Sequence, residues 1–533
     1  MRAIFALPLL LAAVPVHADA IPETQVQRIV EEGTARSQVA ATAQHLSDVI
    51  GGRMTNSPAM RKAEEWTQQK YREWGLTNVH KEGFDFGRGW WIERSSVRMV
   101  APRPLPLTAI PIAWTPATKG PVSAPIVVAP MTKVEHFAAW RGKLAGKIVL
   151  VSKPGELREL TEAPFQRLDD EALAKLDVYE EPTWDPAAFA RRMKNAGFEK
   201  ALTDFLAAEG AVAYVAKSRL DGKLIHGEGY QYQVGRTPTV PGVEMAAEDY
   251  RRLARLAASG NVPTLEIDSD VRFDDSDRQA YNIIADIKGS DPRAGYVMAG
   301  AHLDSWVAGD GAADNGAGSA MIMEAARILS AMGVRPKRTI RFALWAGEEQ
   351  ALLGSIAYLE QHLAKRPNPP GQTADELYYS YATRFPITPQ PGYKDLAAYF
   401  NIDNGSGKIR GIYAENNLAA ASIFREWLAP FGPMGASTVA VQRTGGTDHQ
   451  FLQAAGLPGF QFIQDPLDYE SQVHHTQVDT FDHLKAADMR QGAIVLAAFL
   501  LKAANAAEPL PRTPLPTQPG VTDPFATPDP NAE

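Results

Sequence analysis

Carboxylates and imidazoles recur at the ends of predicted strands along the second half of this chain. The first such end gives His302-Leu303-Asp304-Ser305 and runs into a glycine-rich loop, Gly309-Asp310-Gly311-Ala312-Ala313-Asp314-Asn315-Gly316. The next gives Gly347-Glu348-Glu349 and a third gives Asp403-Asn404-Gly405. The stretch after the last strand, 464–483, holds His474-His475-Thr476 and Asp479-Thr480. If these ends converge, so many acids within a few ångströms cannot all ionise unless cations sit among them. Cys is absent from the sequence, which removes disulfides, thiolate zinc sites, iron–sulfur clusters and a Cys nucleophile together. Any metal is then held by His, Asp and Glu, and imidazole with carboxylate suits Zn2+ in a catalytic rather than a structural site. Two divalent ions, bridged by one carboxylate and each taking a further acid and one His, balance the charge. Such pairs, ~3.5–4 Å apart, are a recurrent device in hydrolytic enzymes.

Taken singly, each group has a plainer use. Asp314-Asn315-Gly316 fits a turn leading into a helix, Glu348-Glu349 a solvated helix start, and either His a hydrogen-bonded structural residue. Independent turns, however, have no reason to place five metal-compatible groups on successive strand ends. Ser305 and Ser319 lie outside any G-x-S-x-G elbow. Thr447-Asp448 fits a helix cap, Trp90-Trp91 fits packing, and the Arg335 to Arg338 cluster fits a solvated loop. Residues 364–394 form a long connection of the kind that serves as a lid.

The elements that position these groups follow from hydrophobic periodicity. Strands are predicted at 282–288, 296–301, 339–346, 396–402, 439–442 and 459–463, and helices at 318–332, 354–363, 448–455 and 484–504. This alternation predicts an α/β domain, a mostly parallel mixed sheet sandwiched by helices, in which ligands bind beyond the carboxyl ends of the strands. Amphipathic helical spacing covers 24–76. From 119 to 270 the texture changes to short β runs separated by Gly and Pro, which predicts an inserted β-rich module. The expected organisation is therefore a leader at 1–20, an N-terminal part of the main domain at 21–118, the insert at 119–270, the rest of the main domain at 271–506, and a disordered Pro/Thr/Ala-rich tail at 507–533.

Composition narrows the partners. The chain has 533 residues and a formal net charge of −8, which argues against a nucleic-acid binder. Residues 3–16 are apolar, follow Arg2 and precede Ala18-Asp19-Ala20. The run is too short to span a bilayer and has the form of a cleavable secretory signal, so a secreted or periplasmic location without a stable membrane anchor is expected.

The stretch from Gly300 to Gly316, with Gly347-Glu348-Glu349, Asn401-Ile402-Asp403 and His475-Thr476, resembles the co-catalytic zinc exopeptidase superfamily of aminopeptidases and glutamate carboxypeptidases. Asp304-Ser305-Trp306, Arg335 to Thr339, the doubled His474-His475 and Asp48-Val49-Ile50-Gly51 are similar to its carboxypeptidase Q branch. The resemblance implies a zinc exopeptidase fold, an insert of the protease-associated type, two zinc ions per chain, a peptide substrate and a possible homodimer. Carried over, His302, Asp314 and Asp403 ligate one ion, while Asp314, Glu349 and His475 ligate the other with Asp314 as bridge. Glu348 is the general base, and Asp304 fixes the tautomer of His302. His474 stands where relatives commonly have Tyr and is expected to assist the oxyanion. The same resemblance leaves open a carboxypeptidase or dipeptidase, an aminopeptidase, and a glutaminyl cyclase-like acyltransferase, which uses a single zinc.

Overall fold

The computed structural model describes residues 23–517, apart from 158, 160, 180–187, 237–238, 372–375 and 377–378. The leader expected at 1–20 lies outside the described residues. Among them, no helix is long and apolar enough to cross a membrane.

The main sheet has eight strands in the spatial order Thr77–Asp85, Gln279–Ile287, Thr339–Trp345, Tyr296–His302, Leu396–Asn401, Gly459–Gln464, Ile409–Tyr413, Thr438–Ala440. The four in the middle, from Thr339–Trp345 to Gly459–Gln464, run parallel to one another. Gln279–Ile287 is antiparallel to both its neighbours, Thr77–Asp85 and Thr339–Trp345, and Ile409–Tyr413 is antiparallel to Gly459–Gln464. Those four parallel strands are the ones that precede the candidate residues, so all four deliver their carboxyl ends to one edge. Their interiors are buried almost throughout, as a sheet covered on both faces requires. Register is tight: His302 lies opposite Trp345, Gly300 opposite Asn401, and Asn401 opposite Gln461. Gly300 has no substitute here, because a Cβ would lie 2.5 Å from the Trp345 indole nitrogen and 2.7 Å from the Tyr399 hydroxyl.

One face is covered by the helix Ala317–Ala331, buried along nearly its whole length, and by the terminal helix Ala486–Asn505 that packs on it. At the centre Phe400 meets Phe424, Phe460, Phe462 and Phe499 at ring-centroid distances of 6.3, 6.2, 6.0 and 5.7 Å. The N-terminal helices Glu23–Ala35 and Val39–Gln44 close the same face. A buried cluster in which Arg327 donates to both Glu32 and Glu324 pins the first of them.

A second eight-stranded sheet lies between the paired strands Thr77–Asp85 and Gln279–Ile287, in the order Leu105–Pro106, Gly89–Ala101, Thr264–Asp274, Val122–Val128, Ile148–Leu150, Ala213–Lys217, Gly242–Met245, Ala109–Pro111. This β-rich unit begins at Gly89, thirty residues before the boundary expected at 119. Its first strand pairs along its length with Thr264–Asp274, but its middle, Glu93 to Ser96, is exposed and polar, so the hydrophobic-run signal for a strand is missing there. Trp90 is fully buried and donates its indole N–H to the Thr115 carbonyl.

Two further expectations are corrected. The segment from 507 does not begin as a disordered tail: Leu510 is buried, its amide donates to the Ala397 carbonyl, and Arg512 donates to the carbonyls of Tyr393 and Leu396. Residues 518–533 lie outside the described residues. Arg338 is buried rather than solvated, because its guanidinium donates to the Ala503 and Ala506 carbonyls at the end of the terminal helix.

Phe400→Ala removes the ring at the centre of the aromatic cluster, and burial of this kind predicts a loss of about 3–5 kcal/mol in denaturant unfolding. A loss below about 1 kcal/mol would contradict the packing described.

Candidate metal centre

The site is assembled from the four parallel strand ends. His302 is the last residue of its strand. Its Nε2 lies 3.2 Å from Asp314 Oδ1, 3.2 Å from Asp403 Oδ1 and 3.9 Å from Glu348 Oε2. His475 Nε2 lies 3.2 Å from Asp314 Oδ2 and 3.0 Å from Glu349 Oε2. Asp314 therefore stands between the two imidazoles with one oxygen toward each. His474 lies tilted against His475, 3.8 Å between ring centroids, and brings its Nε2 to 3.7 Å from Asp314 Oδ2. All seven residues are thus brought together.

Local structure explains how each is held. The turn after Thr339–Trp345 is pinned by the buried Asp304 carboxylate, which accepts from the Glu348 amide at 3.2 Å, the Glu349 amide at 3.3 Å and the Thr55 hydroxyl at 3.0 Å. One residue thus aims both acids of the Glu348-Glu349 pair. The tautomer-fixing contact expected of that carboxylate is made instead by the Asp304 main-chain carbonyl, 2.9 Å from His302 Nδ1, while the carboxylate, engaged by the turn, stays 3.7 Å away. Asp314 is placed by its neighbour: Asn315 donates to the Ile402 carbonyl at 2.9 Å, next to Asp403, and accepts from the Gly318 amide. The Asp479 carboxylate accepts from the amides of Ala313 at 2.6 Å and Asp314 at 3.1 Å.

Arg53, fully buried, ties the loop from the other side. Its guanidinium donates to the carbonyls of Leu303, Leu46, Gly51, Asp310 and Gly311. Burial lowers the Arg53 guanidinium below its ordinary value, opposed in part by the nearby Asp479, Asp304, Asp310 and Asp314. Gly311 has φ +60°, and a Cβ there would lie 2.3 Å from the Ser305 side chain and 3.0 Å from Arg53.

In metal-free protein the charges are forced apart. Burial pushes the Asp314 carboxyl up, but hydrogen bonds from His302 and His475 outweigh it and hold this acid well below the usual range. Those imidazoles are raised well above the ordinary histidine value despite their burial, by Asp403 and Glu348 around one and by Glu349 and Glu228 around the other. Burial, with Asp403, Asp448 and Glu349 nearby, pushes Glu348 well up. Glu349 is pushed up to about 7 by burial and Asp314. Burial first, then neighbouring acids, raises Asp448 and Asp479 to about 8. His474 falls to about 3 through burial and the adjacent His475. Divergence of this kind among neighbours marks functional sites.

The donor set fits zinc. Three acids and two imidazoles converge without thiolate, and one buried carboxylate oxygen, Glu349 Oε1, accepts no hydrogen bond among the described residues. Donor atoms fall into three overlapping groups, Asp314 with His474 and His475, His302 with Asp314 and Glu349, and His302 with Glu348 and Asp403, each within 4.8 Å.

Residues 282–500 match the model of Peptidase family M28. The matched segment contains His302, Asp304, Asp314, Glu348, Glu349, Asp403, His474 and His475. Over 471 residues the chain is 27% identical to carboxypeptidase Q of Bos taurus, covering 88% of this chain and 85% of that protein. Two solved structures share the fold. A peptidase M28 precursor from Shewanella amazonensis SB2B superposes with a TM-score of 0.63 at 24% identity, over 92% of this chain and 98% of that one. BSAP, a zinc aminopeptidase from Bacillus subtilis, superposes with a TM-score of 0.54 at 19% identity, over 88% of this chain and 94% of that one. Fold, family match and donor set together support a metallo-exopeptidase.

Sequence reasoning missed Arg53, Thr55 and Glu228. Arg53 and Thr55 sit in turn-like sequence some 250 residues from the loops they hold, and Glu228 lies in the insert; no spacing rule connects them to the centre. Thr447 and Asp448 do not cap the helix Gln450–Gln453 with their side chains. Instead Thr447 accepts from Asn401, and Asp448 lies buried.

Above pH 6.5 the raised groups keep protons in the folded state that the unfolded chain has released, so unfolding free energy falls as pH rises. The contribution is full below the ordinary values and is lost as pH climbs through the raised ones, about 7 for Glu349 and about 8 for Asp448 and Asp479. Chelator-stripped protein is therefore expected to melt at lower temperature at pH 9 than at pH 6.5. Zinc binds the deprotonated ligands and flattens the slope. A melting temperature that rises across this window in stripped protein contradicts the clustering of buried acids.

Proposed function

We propose that the chain is a di-zinc exopeptidase that hydrolyses dipeptides or short peptides in the manner of carboxypeptidase Q. The observation that carries this reading is Asp314, whose two oxygens face His302 and His475 at 3.2 Å each, the placement a bridging carboxylate needs. His302, Asp314 and Asp403 would hold one ion, and Asp314, Glu349 and His475 the other. Zinc bound there supplies positive charge that polarises the scissile carbonyl and acidifies the attacking water.

The chain's own residues do the rest. Glu348 takes the proton from that water and passes it to the leaving amine, as a single nearby carboxylate can. Its main chain is fixed by Asp304, which accepts from the Glu348 amide at 3.2 Å. His474, neutral at physiological pH, has one ring N–H to offer to the developing oxyanion. The inserted β-rich unit is read as a protease-associated domain, residues 1–20 as a secretory signal that sends the enzyme outside the cytoplasm, and the assembly as a homodimer. The fold shared with a zinc aminopeptidase favours attack from the amino end as the second reading.

Glu348→Gln is expected to leave zinc content unchanged and lower turnover about 10^2–10^4-fold; full activity in that variant refutes its role. Free dipeptides, N-blocked dipeptides and amino-acid anilides separate the readings. Cleavage of unblocked dipeptides alone indicates a dipeptidase, of N-blocked peptides a carboxypeptidase, and of anilides but not N-blocked peptides an aminopeptidase. Cyclisation of N-terminal Gln peptides without hydrolysis, with a single zinc bound, contradicts all three.

A further inference from the structure

His302 and His475 are oriented by different chemistry. The Nδ1 of His302 meets a main-chain carbonyl of its own strand end. The Nδ1 of His475 meets a carboxylate, Glu228 Oε1, at 2.8 Å, and Glu228 belongs to the inserted β-rich unit, 247 residues away in sequence. We propose that Glu228 is the positioning residue that fixes His475 as a zinc ligand, so that the insert is a working part of the metal centre. This inference rests on the zinc reading above.

The loop carrying Glu228 is fastened at both ends. Within the insert, the Glu244 carboxylate accepts from the amides of His226 at 2.9 Å and Gly227 at 3.2 Å. The glycines flanking Glu228 allow the loop to press onto the strand beneath it: a Cβ on Gly227 would lie 2.9 Å from Ile110, and one on Gly229 would lie 2.4 Å from the Ala113 carbonyl. Toward the metal centre, Gln477, two residues beyond His475, binds the same loop three times. It accepts from the Ile225 amide at 2.7 Å, donates its own amide to the Ile225 carbonyl at 3.2 Å, and donates its side chain to the Lys223 carbonyl at 3.0 Å. Arg219 donates to the Glu228 oxygen that faces His475, at 3.0 Å, and so fixes the carboxylate in turn.

The turn needs such support. His475 has φ +62°, a left-handed conformation that a non-glycine residue keeps only when its surroundings impose it. A carboxylate on Nδ1 does two things for a zinc-binding imidazole. It places the proton on Nδ1, leaving Nε2 free to ligate, and it raises the basicity of the ring. Nε2 of His475 points at Asp314 and Glu349, the acids assigned to the second ion. The effect of Glu228 should therefore fall on that ion and spare the one held by His302 and Asp403.

The test is a chelator-competition titration of zinc into metal-stripped full-length protein, giving two stepwise constants for wild type, Glu228→Ala and Glu228→Gln. One constant is expected to weaken about 10–100-fold in Glu228→Ala while the other holds within about threefold. Glu228→Gln, whose amide oxygen still accepts from Nδ1, should lose less. Two unchanged constants in folded Glu228→Ala overturn the proposal, as do two constants that fall together, since that is general loosening. If Glu228→Ala does not fold, Glu228→Met, of similar length but with no oxygen to accept from Nδ1, is read by the same criterion, and a wild-type pair of constants in it overturns the proposal. Wild-type protein that takes up no zinc overturns the zinc reading itself, whereas two tightly bound ions with indifferent variants defeat only the assignment of Glu228.

Discussion

Five carboxylates, those of Asp304, Asp314, Glu348, Glu349 and Asp403, share one buried pocket with the imidazoles of His302 and His475, and every other feature of the catalytic edge follows from that crowding. In water such a cluster would disperse. Here the main chain forbids it, because the residues leave four parallel strands that are locked in register to one another. Protons shared with imidazole relieve part of the repulsion in the metal-free protein, and divalent cations would relieve far more of it. The orphaned oxygen of Glu349 is where the remaining demand is visible.

Holding acids close together requires supports that are themselves charged or polar, and the fold supplies them from remote sequence. Asp304 spends its carboxylate on the turn that aims Glu348 and Glu349. Asp479 clamps the loop that carries Asp314. The Arg53 guanidinium, sealed inside the domain, joins the N-terminal segment to that loop through five carbonyls. Behind these contacts lies an apolar wall of aromatic rings around Phe400, three residues before Asp403. Packing precision at the rings is thus converted into precision at the acids. Glu228, on the loop between the strands Ala213–Lys217 and Gly242–Met245 of the second sheet, meets His475 from a further remote segment.

The strand ends were legible because their chemistry is local: a short apolar run followed at once by His, Asp or Glu is a pattern a sequence shows directly, and 296–301, 339–346, 396–402 and 459–463 all emerge as strands within a residue or two of the predicted bounds. What escaped is non-local or lacks contrast. The strand Ile409–Tyr413 interrupts the order of the sheet with an antiparallel member that alternation gave no hint of. Gly89–Ala101 is a ribbon with a polar middle, so its period of two is diluted. The packing of 506–515 depends on grooves made by distant elements, which composition cannot register. The supporting residues were hidden for the same reason: nothing about Arg53 or Glu228 is unusual until the chain has folded and brought each to a loop hundreds of residues away.

The proposed chemistry requires two cations caged at the carboxyl edge of the sheet, with Asp314 between them. A crystal structure of zinc-loaded protein, with anomalous scattering recorded on both sides of the zinc absorption edge, addresses it most directly. Two anomalous peaks are expected ~3.5–4 Å apart, one beside His302 and Asp403, the other beside His475 and Glu349. A single peak, or peaks located away from Asp314, would contradict that requirement.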